Sequence, residues 1–200
     1  MNQSNHSRVG MRGSIVVVKR NIYTGEKSVW THRNRLSNAA CRYYAQRMAE
    51  ETPTEFVDGS GDPDLSFVLW ESTTLGQISN PFPNINAQDG GVDDGWDAAA
   101  PYTTGSKKAV DSGYPTLNDS DPDNEGAGSL VLSYRVSYLT SEANSANIRG
   151  VSLVDSTFSI SAWSIGMLLF NAAWISGGSS IEKTSSDTLK VFVNHNINLL

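Results

Sequence analysis

The sequence predicts a mainly β protein, an antiparallel sandwich or jelly-roll-like barrel with an N-terminal hairpin and one helix. Two observations predict this class. Several segments alternate apolar and polar residues with the two-residue period of a strand, and Gly-, Asn-, Asp- and Ser-rich stretches separate them. In a single segment the apolar residues instead recur at the spacing of one helical face. A length of 200 residues suits one domain of this class.

The first element predicted is a β-hairpin. Residues 13–20 and 27–32 are runs rich in β-branched side chains, and the stretch between them contains Gly25, which favours a tight turn. Residues 1–12 are rich in Asn, Ser, Arg and Gly, which is typical of a flexible or partner-ordered arm. The remaining chain, residues 13–200, is therefore predicted to form a single β-rich domain.

The helix is predicted over residues 38–51. Ser37 stands where an N-cap residue is expected, and Pro53 follows the end of the segment. The apolar positions recur with the spacing of one helical face, namely Leu36, Ala40, Tyr43, Tyr44 and Met48.

Five further strands are predicted. Residues 65–71 form a short apolar run, and residues 130–138 alternate strictly between large apolar and small or charged side chains. Residues 148–154 form another strand, and the range 157–170 contains one more. The last strand, 189–199, places Leu189, Val191, Val193, His195, Ile197 and Leu199 on one face and polar residues with Lys190 and Phe192 on the other.

A long irregular excursion is predicted over residues 72–128, a tract dense in Gly, Asp, Asn, Pro and Ser. Loops of this length are uncommon in compact domains and are usually either functional excursions or disordered linkers. Large apolar side chains are scattered through it, so we expect this loop to fold onto a partner or onto the domain's own core. Its aromatic residues are candidate contacts: Phe82, Trp96, Tyr102 and Tyr114.

Charge is distributed unevenly along the chain. Residues 1–50 contain nine Lys/Arg and two Asp/Glu, a net charge of +7, whereas residues 51–200 contain six and nineteen, a net charge of −13. A basic start on an acidic body suits an arm that lies on an acidic neighbour, which could be another copy of this chain. The alternative is that these cations are simply solvated on strand and helix faces. Nucleic acid is not an expected partner, because no stacking platform accompanies the basic residues.

The sequence predicts synthesis in the cytoplasm and no membrane partner. Its single cysteine excludes an internal disulfide framework. The N-terminus carries no apolar signal segment, and no apolar run is long enough to cross a membrane as a helix.

No catalytic residue and no cofactor are predicted. His6 lies in the arm, His32 is expected to end a hairpin strand in a charged or capping role, and His195 is expected to be a satisfied core or interface residue. Cys41 lies near the start of the predicted helix, where the dipole favours a thiolate, but it has no evident His partner. No glycine pattern resembles a phosphate-binding loop, and no zinc spacing occurs.

One metal candidate is an acidic run that alternates carboxylates on a loop, and calcium is the cation such oxygens favour. Its residues are Asp119, Asp121, Asp123 and Glu125. The run departs from an EF-hand, because Asn124 stands at the sixth position and Leu130 at the twelfth. An acidic solvated loop is therefore the favoured interpretation, and no metal is assigned.

Both ends of the chain resemble small virion structural proteins of tailed bacteriophages. Residues 24–26 and 29–39 are similar to their opening, a hairpin followed by N-x-L/V-S/T-N-A and a helix. Residues 130–138 and 148–153 resemble their paired strands, and residues 181–197 resemble an ending of the form I-x-K-x-x-x-D-x-L-x-V. The resemblance covers about half of the chain and implies assembly, with no catalytic residues.

The expected function is that of a non-enzymatic virion protein, a capsid decoration (cement) protein bound to the head shell. Its partners would be copies of itself and the major capsid protein. A tail, collar or baseplate subunit, bound to tail proteins, is the alternative within this class. A carbohydrate-binding jelly-roll module is a second alternative, and a glycan hydrolase or lyase of the phage-tail type is a third. The expected interface residues are His6, Arg8, Arg12, Phe82, Trp96, Tyr102 and Tyr114.

Overall fold

A computed structural model describes residues 9–36, 38–53, 56–57, 60, 63–71, 84–85, 92–93, 103–119, 129–156, 169–174 and 180–199. The elements are β1 (Val9–Asn21), β2 (Lys27–Leu36), α1 (Asn38–Met48), β3 (Leu65–Glu71), β4 (Asn84–Ile85), β5 (Val92–Asp93), β6 (Lys108–Ala109), β7 (Thr116–Asp119), β8 (Ser129–Tyr138), β9 (Ser145–Asp155), β10 (Leu169–Trp174), β11 (Ile181–Lys183) and β12 (Asp187–Leu199).

Ten strands form one antiparallel series that folds into two packed sheets. The front sheet has the order β2-β1-β12-β8-β7, and the back sheet has the order β6-β3-β9-β10, with β11 also paired to β9. The end of β2 pairs with β10 through Leu36 and Arg35, so this strand passes from the front sheet to the back sheet. β4 and β5 form a separate two-stranded pair.

The core lies between the two sheets. β8 contributes Tyr134, Val136 and Tyr138 from the front sheet, and every second residue of β12 from Leu189 to His195 is buried beside them. Phe67 and Leu153 face these side chains from the back sheet. The prediction of a mainly β antiparallel sandwich is confirmed, and the described strands do not close into a barrel.

The hairpin at the start of the chain has the predicted turn. The side-chain Oδ1 of Asn21 accepts hydrogen bonds from the backbone N–H groups of Tyr23 and Thr24, each at 3.0 Å. Gly25 follows with a φ of +73°, a conformation that glycine adopts without steric cost. β1 starts at Val9, and residues 9–12 pair with β12. The structure thus places the last part of the predicted arm inside the front sheet.

The helix begins at the predicted residue and ends at Met48, three residues earlier than expected. Ala40 and Tyr43 are buried in the core as the spacing predicted, but Met48 is 76% exposed. Leu36 belongs to the end of β2 rather than to the helical face. Ser37, the predicted N-cap, lies outside the described residues.

Residues 103–119 are a regular part of the sandwich, contrary to the prediction of one irregular excursion over 72–128. Thr103 N–H donates to the Leu69 carbonyl at 2.8 Å, and β6 then extends the back sheet beside β3. β7 extends the front sheet beside β8. The segment therefore runs from the edge of one sheet to the edge of the other and covers one side of the core.

The other strand predictions agree with the structure to different extents. β3 has the predicted bounds, and β8 and β12 have the predicted alternation of buried and exposed residues. β9 is longer than predicted, and β10 starts at Leu169, near the end of the range in which a strand was expected.

Candidate functional site

Most of the interface residues predicted from the sequence lie outside the described residues. This applies to His6, Arg8, Phe82, Trp96 and Tyr102. The backbone of Arg12 is part of β1 and pairs with Asn196. Only Tyr114 has a described side chain, so the involvement of the others in an interface stays a prediction.

Tyr114 packs against its own domain. Its ring lies under the guanidinium of Arg135, with 4.3 Å between the guanidinium carbon and the ring centroid. Nη1 of Arg135 also lies 3.2 Å from the Tyr114 hydroxyl and donates to it. The side chain is half-buried on the outer side of the front sheet. It therefore fixes the 111–116 segment against β8.

Asp111 holds the same segment in place. Its carboxylate accepts hydrogen bonds from Nε of Arg135 at 2.7 Å, from the Ser137 hydroxyl at 2.7 Å and from the Ser137 N–H at 3.1 Å. Burial alone would raise its pKa, but the hydrogen bonds from Ser137 and Arg135 outweigh this and hold the pKa of Asp111 below its usual value.

Replacing Asp111 by asparagine is expected to lower the free energy of unfolding by about 1–2 kcal/mol, because Arg135 loses its charged acceptor. Urea denaturation at neutral pH measures the effect. Glu26→Gln, in the exposed hairpin turn, is the matched control and should change stability by no more than about 0.5 kcal/mol. Equal effects of the two variants would show that the Asp111 carboxylate does not hold the segment.

His195 lies in the core as predicted. It is fully buried, and its Nδ1 lies 2.6 Å from the Tyr44 hydroxyl, a hydrogen bond in which either group can be the donor. The Tyr44 hydroxyl also lies 3.2 Å from that of Tyr134. Burial lowers the pKa of His195 to about 3 and raises the pKa values of both tyrosines. These groups link α1 to the inner side of the front sheet.

The other two candidates for chemistry differ from expectation. β2 continues four residues past His32, so this residue does not end the strand, and burial lowers its pKa and disfavours a charged role. Cys41 lies on α1 as predicted, but burial raises the pKa of its thiol, which disfavours the thiolate.

The calcium candidate lies almost entirely outside the described residues. Only the backbone of Asp119 is described, at the end of β7. In the part of the chain that the structure describes, no group of three or more His, Cys, Asp or Glu side chains is placed to hold a metal ion.

The outer side of the front sheet carries a cluster of cations, here named the cationic face. It consists of four exposed residues on β1, β2 and β12: Arg20, Lys27, Arg33 and Lys190. The described ion pairs, Lys108–Glu142 and Arg135–Asp111, include none of them. Along the described parts of these three strands, the outward positions contain no Asp or Glu.

Strand register brings three of these four cations together at the hairpin end of the sheet, whereas Arg33 lies opposite Ser14, six positions farther along β2 from Lys27. Arg20 on β1 lies opposite Lys27 on β2, and Val18 on β1 lies opposite Lys190 on β12. Like charges placed directly opposite each other destabilise a strand pair. An anion bound between Arg20 and Lys27 would remove this repulsion, so the face has an electrostatic reason to bind negative groups.

A groove of about 630 Å³ lies on the cationic face at the hairpin end of the sheet. Three of its lining residues are the cations Arg20, Lys27 and Lys190, and the others are uncharged: Val18, Gly25, Thr188 and Phe192. The groove thus combines positive charge with an apolar floor. Such a surface suits an acidic polypeptide segment, whose carboxylates pair with the cations while its backbone covers Phe192.

Sequence reasoning located part of this surface and missed the rest. Part of the excess of Lys and Arg in residues 1–50 lies on exposed strand faces, as the second interpretation of this charge expected, and a docking role for it stays a prediction. The alternation of the strands contains the missing information: Lys190 stands between the buried Leu189 and Val191, and Arg20 is on the outward side, two residues after Val18. The pairing of β1 with β12 was not readable from the local pattern.

Comparison of the chain with protein-family models, with curated proteins and with solved structures gave no match. Among the described residues, the single helix is too short and too polar to cross a bilayer.

Proposed function

We propose that this protein is a non-enzymatic virion structural protein of a tailed bacteriophage, a capsid decoration protein that docks on the head shell. The observation that carries the docking role is the cationic face, a solvent-exposed sheet surface with four cations and no described carboxylate partner. The resemblance of both chain ends to phage virion proteins supports the assignment to a particle.

The arrangement of the buried polar groups is consistent with a structural role. The Tyr44 hydroxyl forms hydrogen bonds with both His195 and Tyr134 inside the core, and Lys183 donates to the Leu139 carbonyl and to the side chain of Asn144, each at 2.8 Å. The first two contacts join α1 to the front sheet, and those of Lys183 join β11 to the connection between β8 and β9. A rigid sandwich that presents a charged outer face suits attachment to a preformed shell.

Immunogold labelling of intact virions tests this proposal. An antibody raised against the purified chain should label the capsid, in many copies per particle. Label on the tail, collar or baseplate would instead support the alternative within this class, a subunit of that part of the virion. Particles without label would contradict a virion role altogether, and specific hits on a glycan array would then favour the carbohydrate-binding alternative.

Charge reversal on the cationic face should reduce the amount of protein on the particle. We expect Arg20→Glu/Arg33→Glu to weaken attachment about tenfold or more, because attraction to an acidic surface becomes repulsion. Occupancy is measured by quantitative mass spectrometry of purified particles. Arg42→Glu/Arg47→Glu makes the same charge change on α1, which packs on the other side of the front sheet, and should leave occupancy unchanged. Equal loss with both variants would exclude the cationic face as the docking surface.

A further inference from the structure

We propose that the groove on the cationic face binds the acidic segment 119–125 of a second copy, so that copies of this chain associate head to tail. This inference rests on the proposed function and names one partner of the same surface. The segment carries four carboxylates in seven residues, and the groove presents three cations. The two surfaces are therefore complementary in charge.

The acidic segment also has a suitable spacing. Its carboxylates occupy alternate positions, namely Asp119, Asp121, Asp123 and Glu125. In an extended chain, alternate side chains point to the same side at intervals of about 6.8 Å. Across the sheet, Arg20 lies about 5 Å from Lys27, which is directly opposite, and about 7–8 Å from Lys190, which is diagonal to it, so the second distance is close to the carboxylate spacing. An extended segment can thus pair two or three carboxylates with cations of the groove, and arginine forms the stronger, two-pronged contacts.

The groove and Asp119, the residue at which the acidic segment begins, lie at opposite ends of the front sheet. Lys190, in the groove, pairs with Ser137, whereas Asn198 pairs with Ser129, where β8 begins. Lys190 and Asn198 are eight positions apart on β12, which corresponds to about 27 Å along the strand. The acidic segment leaves β7 at Asp119, which pairs with Leu130 at that far end.

The chain is too short for the segment to reach the groove of its own copy. Residues 120–128, nine in number, join Asp119 to Ser129. The middle residue of this connection is five residues from either anchor, so the length of the chain limits its distance from them to about 18 Å. This is well short of the distance along the sheet. A groove occupied by this segment must therefore belong to another copy.

The resulting contact is heterologous, because two different surfaces of the same chain meet. Contacts of this type repeat from copy to copy and form rings when the rotation closes, or filaments when it does not. Either arrangement suits a subunit that covers a repetitive surface. The front sheet is basic at its hairpin end, and an acidic segment is joined to its other end. These two unlike ends are sufficient for copies to associate head to tail.

The first test is the molecular mass of the purified full chain in solution, by analytical ultracentrifugation. Copies should associate at about 0.01 M salt, where the Debye length is about 30 Å, and separate at about 1 M salt, where it is about 3 Å. A wild-type chain that stays monomeric at low salt and high concentration would overturn the inference. Retention on heparin by such a monomer would instead assign the groove to another polyanion.

A charge swap identifies the two surfaces. The groove variant Lys27→Glu/Lys190→Glu and the segment variant Asp121→Lys/Asp123→Lys should each weaken self-association about tenfold or more, because each places like charges in contact. An equimolar mixture of the two should regain association, since each acidic surface then meets a basic one. Circular dichroism melting confirms that both variants fold, and Arg42→Glu/Arg47→Glu serves as the control for net charge.

Two results would contradict the inference. One is self-association as strong as that of the wild type in the groove variant alone or in the segment variant alone. The other is a mixture of the two that stays dissociated although both variants are folded. These outcomes are independent of the immunogold result. If the antibody labels the capsid but the mixture of charge variants does not associate, the proposed function is retained and only the head-to-tail contact is contradicted.

Discussion

Replacing Tyr138 by alanine is expected to lower the free energy of unfolding by about 3–5 kcal/mol, since it removes a large ring from a closely packed core. Tyr138 is 1% exposed and belongs to the cluster between the two sheets. Its hydroxyl donates to the carbonyl of Ser106 at 2.7 Å, just before β6 at the edge of the back sheet. The variant therefore loses both core packing and a link between β8 and the 103–119 segment.

Tyr138→Phe separates these two contributions. It keeps the ring and removes only the hydroxyl, so we expect a smaller loss of about 1–2 kcal/mol from the unpaired Ser106 carbonyl. Urea denaturation of both variants measures the difference. Tyr23→Ala is the control, because Tyr23 is 80% exposed in the hairpin turn. A Tyr138→Ala variant as stable as Tyr23→Ala would show that the ring is not part of the packed core.

The strands that could be predicted are those whose burial follows their own sequence. β8 and β12 each have one buried and one exposed side, so the two-residue alternation is visible along the chain. β3 was also predicted with its exact bounds, because it is buried along nearly its whole length and appears as an uninterrupted apolar run. In each case a local pattern contains the required information.

Residues 103–119 could not be predicted because their order depends on distant partners. The segment has the polar, turn-rich composition of a loop. It is held by backbone hydrogen bonds to β3, such as Val110 N–H to the Leu65 carbonyl, and by Asp111 N–H donating to the Arg135 carbonyl of β8. These bonds join residues that are far apart in the sequence, so the local sequence pattern does not predict them.

The cationic face was hidden for the same reason. Arg20 and Lys27 belong to one hairpin, so their proximity follows from the predicted turn. Lys190 joins them only because β12 pairs with β1 along its whole length. The net charge of residues 1–50 therefore includes the cations on β1 and β2 but not Lys190 on β12.

The stability of the protein is expected to fall between pH 6.5 and pH 5, by up to about 1.4 kcal/mol per pH unit. Burial lowers the pKa of His195 from its usual 6.5 to about 3, so the folded protein keeps this side chain neutral. The unfolded chain binds a proton at His195 below pH 6.5, whereas the folded chain does so only near pH 3. The full stability is therefore present above pH 6.5 and is lost as the pH falls towards 3.

The described carboxylates with shifted pKa values do not account for a loss in this window. The pKa values of Asp111, Asp187 and Glu142 are all lowered in the fold, and their effect on stability begins only near the usual carboxyl range. Burial also lowers the pKa of His32, which acts in the same direction as His195, although His32 is only half-buried. Among the described residues with a shifted pKa, the two histidines are thus the groups that titrate between pH 6.5 and 5.

His195→Asn distinguishes the buried histidine from His32. The amide oxygen of asparagine occupies roughly the position of Nδ1 and can accept a hydrogen bond from Tyr44, but the side chain does not titrate. Urea denaturation at intervals from pH 8 to pH 5 should give a much smaller slope of unfolding free energy for this variant than for the wild type. His32→Asn should retain most of the wild-type slope. A wild-type curve that is flat from pH 6.5 to 5, or an unchanged slope in His195→Asn, would show that His195 is accessible to protons in the folded protein, and the buried link between α1 and the front sheet would have to be abandoned.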